Sequence, residues 1–256
     1  MKKTLFILMI SIAFLATGCK KDKSKTLNYN DSNPISLVLQ GHHQIQASSD
    51  YNITYSAINE GNKEVITVTG AGNIYGKNVG AAKVKLDNGH ESKIVDVKVD
   101  LFKEPTFDFG CGSSKIRELF GAPYQSAYIN DTTLVYQYTA NQGYSYACGE
   151  MDFFFNRGAY FEADVYIRKN CKYLLESIYL NNNFTLDEIK CDSTTLANYG
   201  DTVFIYRNKL DDNIVCGKFA SHNQWEEICL FYFRDNNEKS VANILKRRPR
   251  SSKFLY

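Results

Sequence analysis

Closely spaced acidic side chains are the first candidates for chemistry in this chain. The candidate pairs are Glu150 with Asp152, Glu162 with Asp164, and Glu226 with Glu227. Side chains two positions apart on a β-strand point to the same face, so the first two pairs can converge. Glycoside hydrolysis uses two carboxyl groups about 5–10 Å apart. Because solvent-facing strand positions carry such acids routinely, we expect no pocket in which two of these carboxylates face each other.

Histidines and nucleophile motifs give no second candidate for catalysis. The four histidines, His42, His43, His90 and His222, fall in predicted turns or loops, and no His-x-x-x-His pattern occurs. A helix-borne zinc site needs such a pattern. The Gly-x-Ser-x-Gly motif of serine hydrolases is also missing. We therefore predict a protein that is not an enzyme and that has no metal site and no cofactor.

Aromatic side chains give a candidate binding surface instead. Tyr144, Tyr146 and Trp225 lie in or beside predicted hairpin loops. Exposed aromatic rings at such places can stack on sugar rings or anchor a protein partner. The alternative is that these rings pack between a sheet and its helices.

The N-terminus has the layout of a secretory signal: Lys2 and Lys3, then an apolar run over residues 5–15, then small residues leading to Cys19. The run is too short to span a bilayer, which takes roughly 20 apolar residues. The end of this segment resembles the lipobox of bacterial lipoproteins. That resemblance implies a signal peptide over residues 1–18, cleavage before Cys19, acylation of Cys19, and attachment to the cell envelope, most simply the outer membrane.

The remaining cysteines indicate the redox environment. Six follow Cys19, all in the C-terminal part: Cys111, Cys148, Cys171, Cys191, Cys216 and Cys229. An even number in an oxidising compartment predicts disulfides. The formal net charge is only +2, which does not provide the concentrated basic face that nucleic-acid binding needs.

Residues 19–33 are polar and without period, which predicts a flexible tether. Residues 34–101 contain seven short alternating runs separated by Gly and Asn turns, and this pattern predicts a small β-sandwich. The segment from Val68 to Val84 and the Leu39-Gln40-Gly41 turn resemble the bacterial Ig-like group 2 domain, with Tyr55 where that family usually has Trp. The resemblance implies a spacer or adhesive module without a catalytic site.

Residues 102–256 predict an α+β domain with an antiparallel sheet and two short helices, over residues 115–120 and 171–180. The two halves echo each other, with Ala147-Cys148-Gly149 matching Val215-Cys216-Gly217. This alignment predicts the disulfides Cys111–Cys148, Cys171–Cys216 and Cys191–Cys229, and the rival pairing is Cys216–Cys229 with Cys171–Cys191. The start of the domain resembles envelope proteins of the BamE and β-lactamase-inhibitor-protein type.

Together these patterns predict a mainly β protein: a non-catalytic envelope lipoprotein that reaches the membrane through a lipid anchor and recognises a protein or a glycan. Two alternatives stay open. An envelope assembly or accessory factor would follow from the resemblance of the C-terminal domain, and a polysaccharide hydrolase from the carboxylate pairs.

Overall fold

The computed structural model describes residues 23–139, 147–190, 203–220 and 227–235. Several predicted features lie outside these residues. They are the signal segment with Cys19, the candidate ligand-binding side chains Tyr144, Tyr146 and Trp225, the acid Glu226, and Cys191 with its predicted bridge.

The N-terminal unit is an Ig-like β-sandwich, as the sequence predicts. Its strands are β1 (Asn28–Tyr29), β2 (Ile35–Val38), β3 (His42–Gln44), β4 (Ala47–Ser48), β5 (Thr54–Asn59), β6 (Ile66–Val68), β7 (Asn73–Gly76), β8 (Gly80–Asp87) and β9 (Ser92–Asp100). In the described residues they form a sheet in the order β2-β9-β8-β5, a second in the order β3-β7-β6, and a β1-β4 pair. The first sheet contains one parallel pairing, between β2 and β9.

Alternation along β8 and β9 explains why this unit folds as two layers. Ala82, Val84 and Leu86 point into the sandwich and are buried, while the residues between them face outward. Tyr55 packs under the main chain of Gly72. A Cβ added at Gly72 would lie 2.9 Å from the Tyr55 ring, and its φ of 81° also favours glycine.

The tether predicted for residues 19–33 is wrong from Leu27 onward. Leu27 is fully buried in the sandwich core, and β1 pairs with β4. The Asp31 carboxylate accepts a hydrogen bond of 2.6 Å from the main-chain N–H of Gln46. One buried leucine and a two-residue strand are enough to hold a segment whose composition is otherwise polar.

The C-terminal unit combines helices with one antiparallel sheet. Its helical segments are α1 (Ser113–Phe120) and α2 (169–183), and its strands are β10 (Gln125–Tyr128), β11 (Thr133–Thr139), β12 (Cys148–Asn156), β13 (Ala159–Arg168), β14 (Phe184–Lys190), β15 (Val203–Asn208), β16 (Ile214–Ala220) and β17 (Glu227–Arg234). Over residues 125–234, as far as they are described, the strand order is β10-β11-β12-β13-β17-β16-β15-β14. No helix in the described residues is long and apolar enough to cross a membrane.

This order is that of two repeats, each a helix followed by a four-stranded meander, joined through the antiparallel pairing of their last strands. The repeat prediction is confirmed, and Cys148 and Cys216 lie on equivalent third strands. Strand β12 begins at Cys148 and continues past Gly149, where the register shifts relative to β13.

The first helix differs from its prediction at the N-terminus. The helix begins at Ser113 instead of residue 115, with Gly112 as its N-cap and no side-chain cap. Ile116 and Phe120 are buried, whereas Leu119 is partly exposed. The helix ends at Gly121, whose N–H donates to the Arg117 carbonyl.

The predicted disulfides Cys111–Cys148 and Cys171–Cys216 are not formed in this structure. Cys111 bonds to the main chain of Tyr160, whereas Cys148 lies opposite Ile167, seven residues along the same strand. That separation is roughly 23 Å, far beyond the ~7 Å that a disulfide allows between Cα atoms.

The rival pairing Cys216–Cys229 is also wrong. Cys216 belongs to the core on the helix side of the sheet, and Cys229 to the apolar cluster on the opposite side. No disulfide joins them. The alignment of the two repeats matched equivalent strands correctly, but it did not predict the state of the cysteines.

Candidate functional site

The predicted carboxylate pairs come together on the face of the eight-stranded sheet that points away from α1 and α2. Asp152 of β12 lies directly opposite Asp164 of β13, and Glu150 and Glu162 occupy the neighbouring positions. Two of these acids therefore face each other, but within the packed sheet and not across a pocket; the assumption that these strand positions face solvent is wrong for Asp152, Glu162 and Asp164. Asp152, Asp164 and Glu162 are 2%, 1% and 2% exposed.

One extra residue brings these acids opposite each other. The β12–β13 hairpin pairs Phe155 with Tyr160, but the next pair is Phe154 with Glu162, so Phe161 is left without a partner across the strands. Such a bulge shifts the register of all later pairs by one residue. Without it, Asp152 would lie opposite Ala163.

Burial dominates the electrostatics of this cluster. It raises the pKa of Asp152 well above its usual value, and the nearby carboxyls of Glu150 and Asp164 raise it further, while a hydrogen bond from Gln137 acts in the opposite direction. Gln137 also donates to Glu150 Oε1 at 3.2 Å. Folding therefore favours the neutral form of Asp152.

This cluster does not have the features of an active site within the described residues. Its acids do not line the groove of about 1370 Å³ that lies between the two units. In the described ranges, no group of three or more His, Cys, Asp or Glu side chains could hold a metal ion. Catalytic acids need access to substrate as well as a shifted pKa. We interpret the cluster as a buried, proton-holding part of the sheet.

A groove of about 1370 Å³ lies between the two units and is the better candidate site. One wall is the outward face of the β2-β9-β8 sheet, with Ser36, Lys83 and Lys98 among its residues. The opposite wall is α2 with the end of β13, represented by Asn182 and Arg168.

The helical wall has an unusual local geometry. Residues Leu175–Leu180 of α2 are π-helical, and Ile178 and Tyr179 within this stretch line the groove. π-Helical turns are rare and occur frequently at functional sites.

A hydrogen-bonded chain fixes the floor of the groove. Tyr232 donates to the Tyr179 hydroxyl at 2.9 Å, and Tyr179 donates to Glu104 in the segment that links the two units. Burial raises the pKa of Tyr179 well above its ordinary value, and the Glu104 carboxyl adds to this, so Tyr179 stays protonated and remains a donor. Cys216 lies beside Tyr232, and burial raises the pKa of its thiol.

The charges of the sandwich wall alternate in sign. Lys83 lies opposite Asp96 across β8 and β9, and Lys98 forms an ion pair of 2.9 Å with Asp100. The two aromatic rings in the lining, Phe102 and Tyr179, pack against each other at 4.8 Å between centroids. The groove therefore offers charges and amides to a ligand rather than an open aromatic platform.

None of these groove residues was predicted as a site from the sequence. They come from segments far apart in the chain and are ordinary outward-facing polar residues, so no local pattern marks them. The predicted ligand-binding residues Tyr144, Tyr146 and Trp225 lie outside the described residues and stay a prediction.

No protein-family model matches this chain, and no curated protein matches it. Among solved structures, it is similar to an intimin mutant of EHEC O157:H7, with 12% identity, a TM-score of 0.28, and coverage of 82% of this chain and 97% of that one. A human protocadherin-24 EC1-2 structure is similar with 10% identity and a TM-score of 0.26, and the match covers 81% of this chain and 96% of that chain. An intimin–Tir90 complex is similar with 14% identity and a TM-score of 0.24. The match covers 39% of this chain and 60% of that chain. At these TM-scores no property of those proteins is transferred to this chain.

Proposed function

We propose that this protein is a non-catalytic binding module of the cell envelope that holds an extended segment of a protein partner in the groove between its two units. The observation that carries the proposal is the groove itself, with walls from both units and a volume of about 1370 Å³. Small-molecule pockets span about 300–1,000 Å³, so this groove has room for part of a polymer.

The side chains of the groove favour a polypeptide over a glycan. Lys83, Asp96 and Lys98 place charges of both signs along one wall, and Asn182 adds an amide on the other. A polypeptide with charged side chains complements this arrangement. Sugar rings are held by stacking on exposed aromatic rings, and Phe102 and Tyr179 are committed to each other and to the core.

Photo-crosslinking from two positions on the same sheet tests this proposal. A photoreactive residue at Ala81, an exposed position in the groove, is compared with one at Ile94, which is exposed outside the groove. We expect a protein adduct from position 81 in native cells and none from position 94. Lys83→Ala should weaken the adduct several-fold, while Lys85→Ala, two residues along β8 and outside the groove, should leave it unchanged.

Two results would overturn this assignment. Equal adducts from positions 81 and 94 would show that the groove is not the binding surface. Saturable binding on a glycan array that Lys83→Ala abolishes, without a protein adduct, would replace the polypeptide with a glycan.

We further propose that Cys19 is acylated and anchors the module to the envelope, most simply to the outer membrane. The lipobox-like residues before Cys19 support this proposal. Cys19→Ala should move the protein from the membrane fraction to a soluble or precursor form. Cys111→Ala, which changes a free thiol in the folded part, should fractionate like the wild type. A Cys19→Ala protein that stays with the membranes would contradict the anchor.

A further inference from the structure

The two outer strands of the eight-stranded sheet are protected to different degrees. Strand β14, at one edge, carries Asp187 and Glu188 and has a register shift between Leu186 and Glu188. Charges and bulges of this kind prevent an edge strand from pairing with another chain. Strand β10, at the other edge, has the uncharged sequence Gln-Ser-Ala-Tyr and pairs regularly with β11.

The hydrogen bonding of β10 determines which main-chain groups are available. Ile129 N–H donates to the Thr133 carbonyl at 3.0 Å, so Ile129 and, by alternation, Ala127 and Gln125 bond to β11. Ser126 and Tyr128 therefore direct their N–H and C=O groups to the outer edge. Within the part of the chain that the structure describes, no strand pairs with that edge.

The side chains beside this edge are exposed and apolar or uncharged. Tyr124 and Tyr128 are each 70% exposed, and Ser126 between them is also exposed. Tyr128 and Ser126 lie on one face of the strand, because alternate residues share a face. Two rings and an open ladder at one place form a surface that gains from being covered.

We propose that β10 pairs antiparallel with β10 of a second copy of this chain, making a two-fold symmetric dimer with a continuous sheet. The strand is complementary to itself. With Ala127 at the two-fold axis, Ser126 of each copy lies opposite Tyr128 of the other, so the outward main-chain groups of both copies are satisfied. No charged residue occurs between Tyr124 and Ile129, so self-pairing brings no like charges together.

The same register brings the exposed rings together. Tyr128 of one copy lies diagonal to Tyr128 of the second copy, and diagonal neighbours on antiparallel strands are within reach of aromatic side chains. The contact is smaller than a standard interface of about 1,600 Å², so the dimer is a reversible one. This inference does not depend on the groove or on its ligand.

Ser126→Pro tests the pairing in the mature chain by sedimentation equilibrium between about 5 and 500 μM. Proline removes the outward N–H of Ser126 but no bond to β11, and edge strands tolerate it. We expect the wild type to show a monomer–dimer equilibrium and Ser126→Pro to weaken it by about tenfold or more, because two symmetric hydrogen bonds are lost. Ser126→Thr keeps the N–H and should dimerise like the wild type.

Ser126→Lys is a second variant that does not depend on proline being tolerated. Two lysines close to the two-fold axis repel each other, so dimerisation should weaken at low salt and recover partly at high salt. A wild type that stays monomeric at 500 μM would overturn the proposal. A dimer that both Ser126→Pro and Ser126→Lys leave intact, with unchanged circular dichroism, would overturn it as well.

Discussion

Gly217→Ala should lower the free energy of unfolding by about 3 kcal/mol, at the upper end of the usual cost of overpacking. Gly217 of β16 lies opposite Phe231 of β17, and the fully buried Phe231 ring covers the glycine. A Cβ added at position 217 would lie 1.8 Å from Phe231 Cζ, so the ring must move. Phe231 also stacks on Phe233 at 6.0 Å, which leaves it little room.

Thermal and urea unfolding measure this effect. For a chain of this size the loss corresponds to a fall in Tm of roughly 6–12 °C. Gly70→Ala is the matched control, because a Cβ there meets nothing within 4 Å; its effect should stay within about 0.5 kcal/mol. Phe231→Leu should recover part of the loss in the Gly217→Ala background. Equal stability of the Gly217→Ala and Gly70→Ala proteins would contradict the packing described for β16 and β17.

Asp152→Asn should stabilise the protein by about 1–3 kcal/mol at pH 8, the usual penalty for a buried polar group that lacks full compensation. Burial, with Glu150 and Asp164 nearby, raises the pKa of Asp152 in the folded state. Asparagine has nearly the same shape and no charge. It keeps a carbonyl oxygen that can accept from Gln137.

The pH dependence follows from linkage. Because the pKa of Asp152 is higher in the folded than in the unfolded state, the folded protein binds more protons at this site. The contribution of Asp152 to stability is fully present below its pKa in the unfolded state, which is about 3.9. It is lost as the pH rises through its pKa in the folded state. Urea unfolding at pH 4, 6 and 8 should therefore show a gain from Asp152→Asn that grows with pH.

Asp96→Asn is the control for this experiment, because Asp96 is an exposed acid on a regular strand. Its effect should be small at all three pH values. If Asp152→Asn gave the same gain in stability at pH 4 as at pH 8, the pKa of Asp152 would not be raised in the folded state, and the cluster would need another explanation.

The sandwich was predictable from the sequence because its strands alternate and its turns carry Gly and Asn. The C-terminal sheet was predictable in class but not in detail. Gly149 looks like a turn between two short strands, whereas β12 absorbs it as a register shift. Strand β10 has no apolar alternation to reveal it, and only its pairing with β11 makes it a strand.

The candidate sites were less predictable for a physical reason. The spacing of Asp152 and Asp164 predicts which face each acid shares with its neighbours, but not that they lie opposite each other. That depends on the unpaired residue Phe161, and no local sequence signal marks this bulge. The groove depends on how the two units are arranged relative to each other, and the sequence pattern of either unit does not determine that arrangement.

The pairing of β13 with β17 makes the C-terminal unit symmetric about its centre. Each repeat of the C-terminal unit ends in a strand whose outer side is covered by the last strand of the other repeat, and the two run antiparallel. A single repeat on its own would leave that side bare, and an identical copy would cover it by the same two-fold relation. The eight-stranded sheet therefore has the architecture of a symmetric dimer contained within one chain, with its seam between β13 and β17.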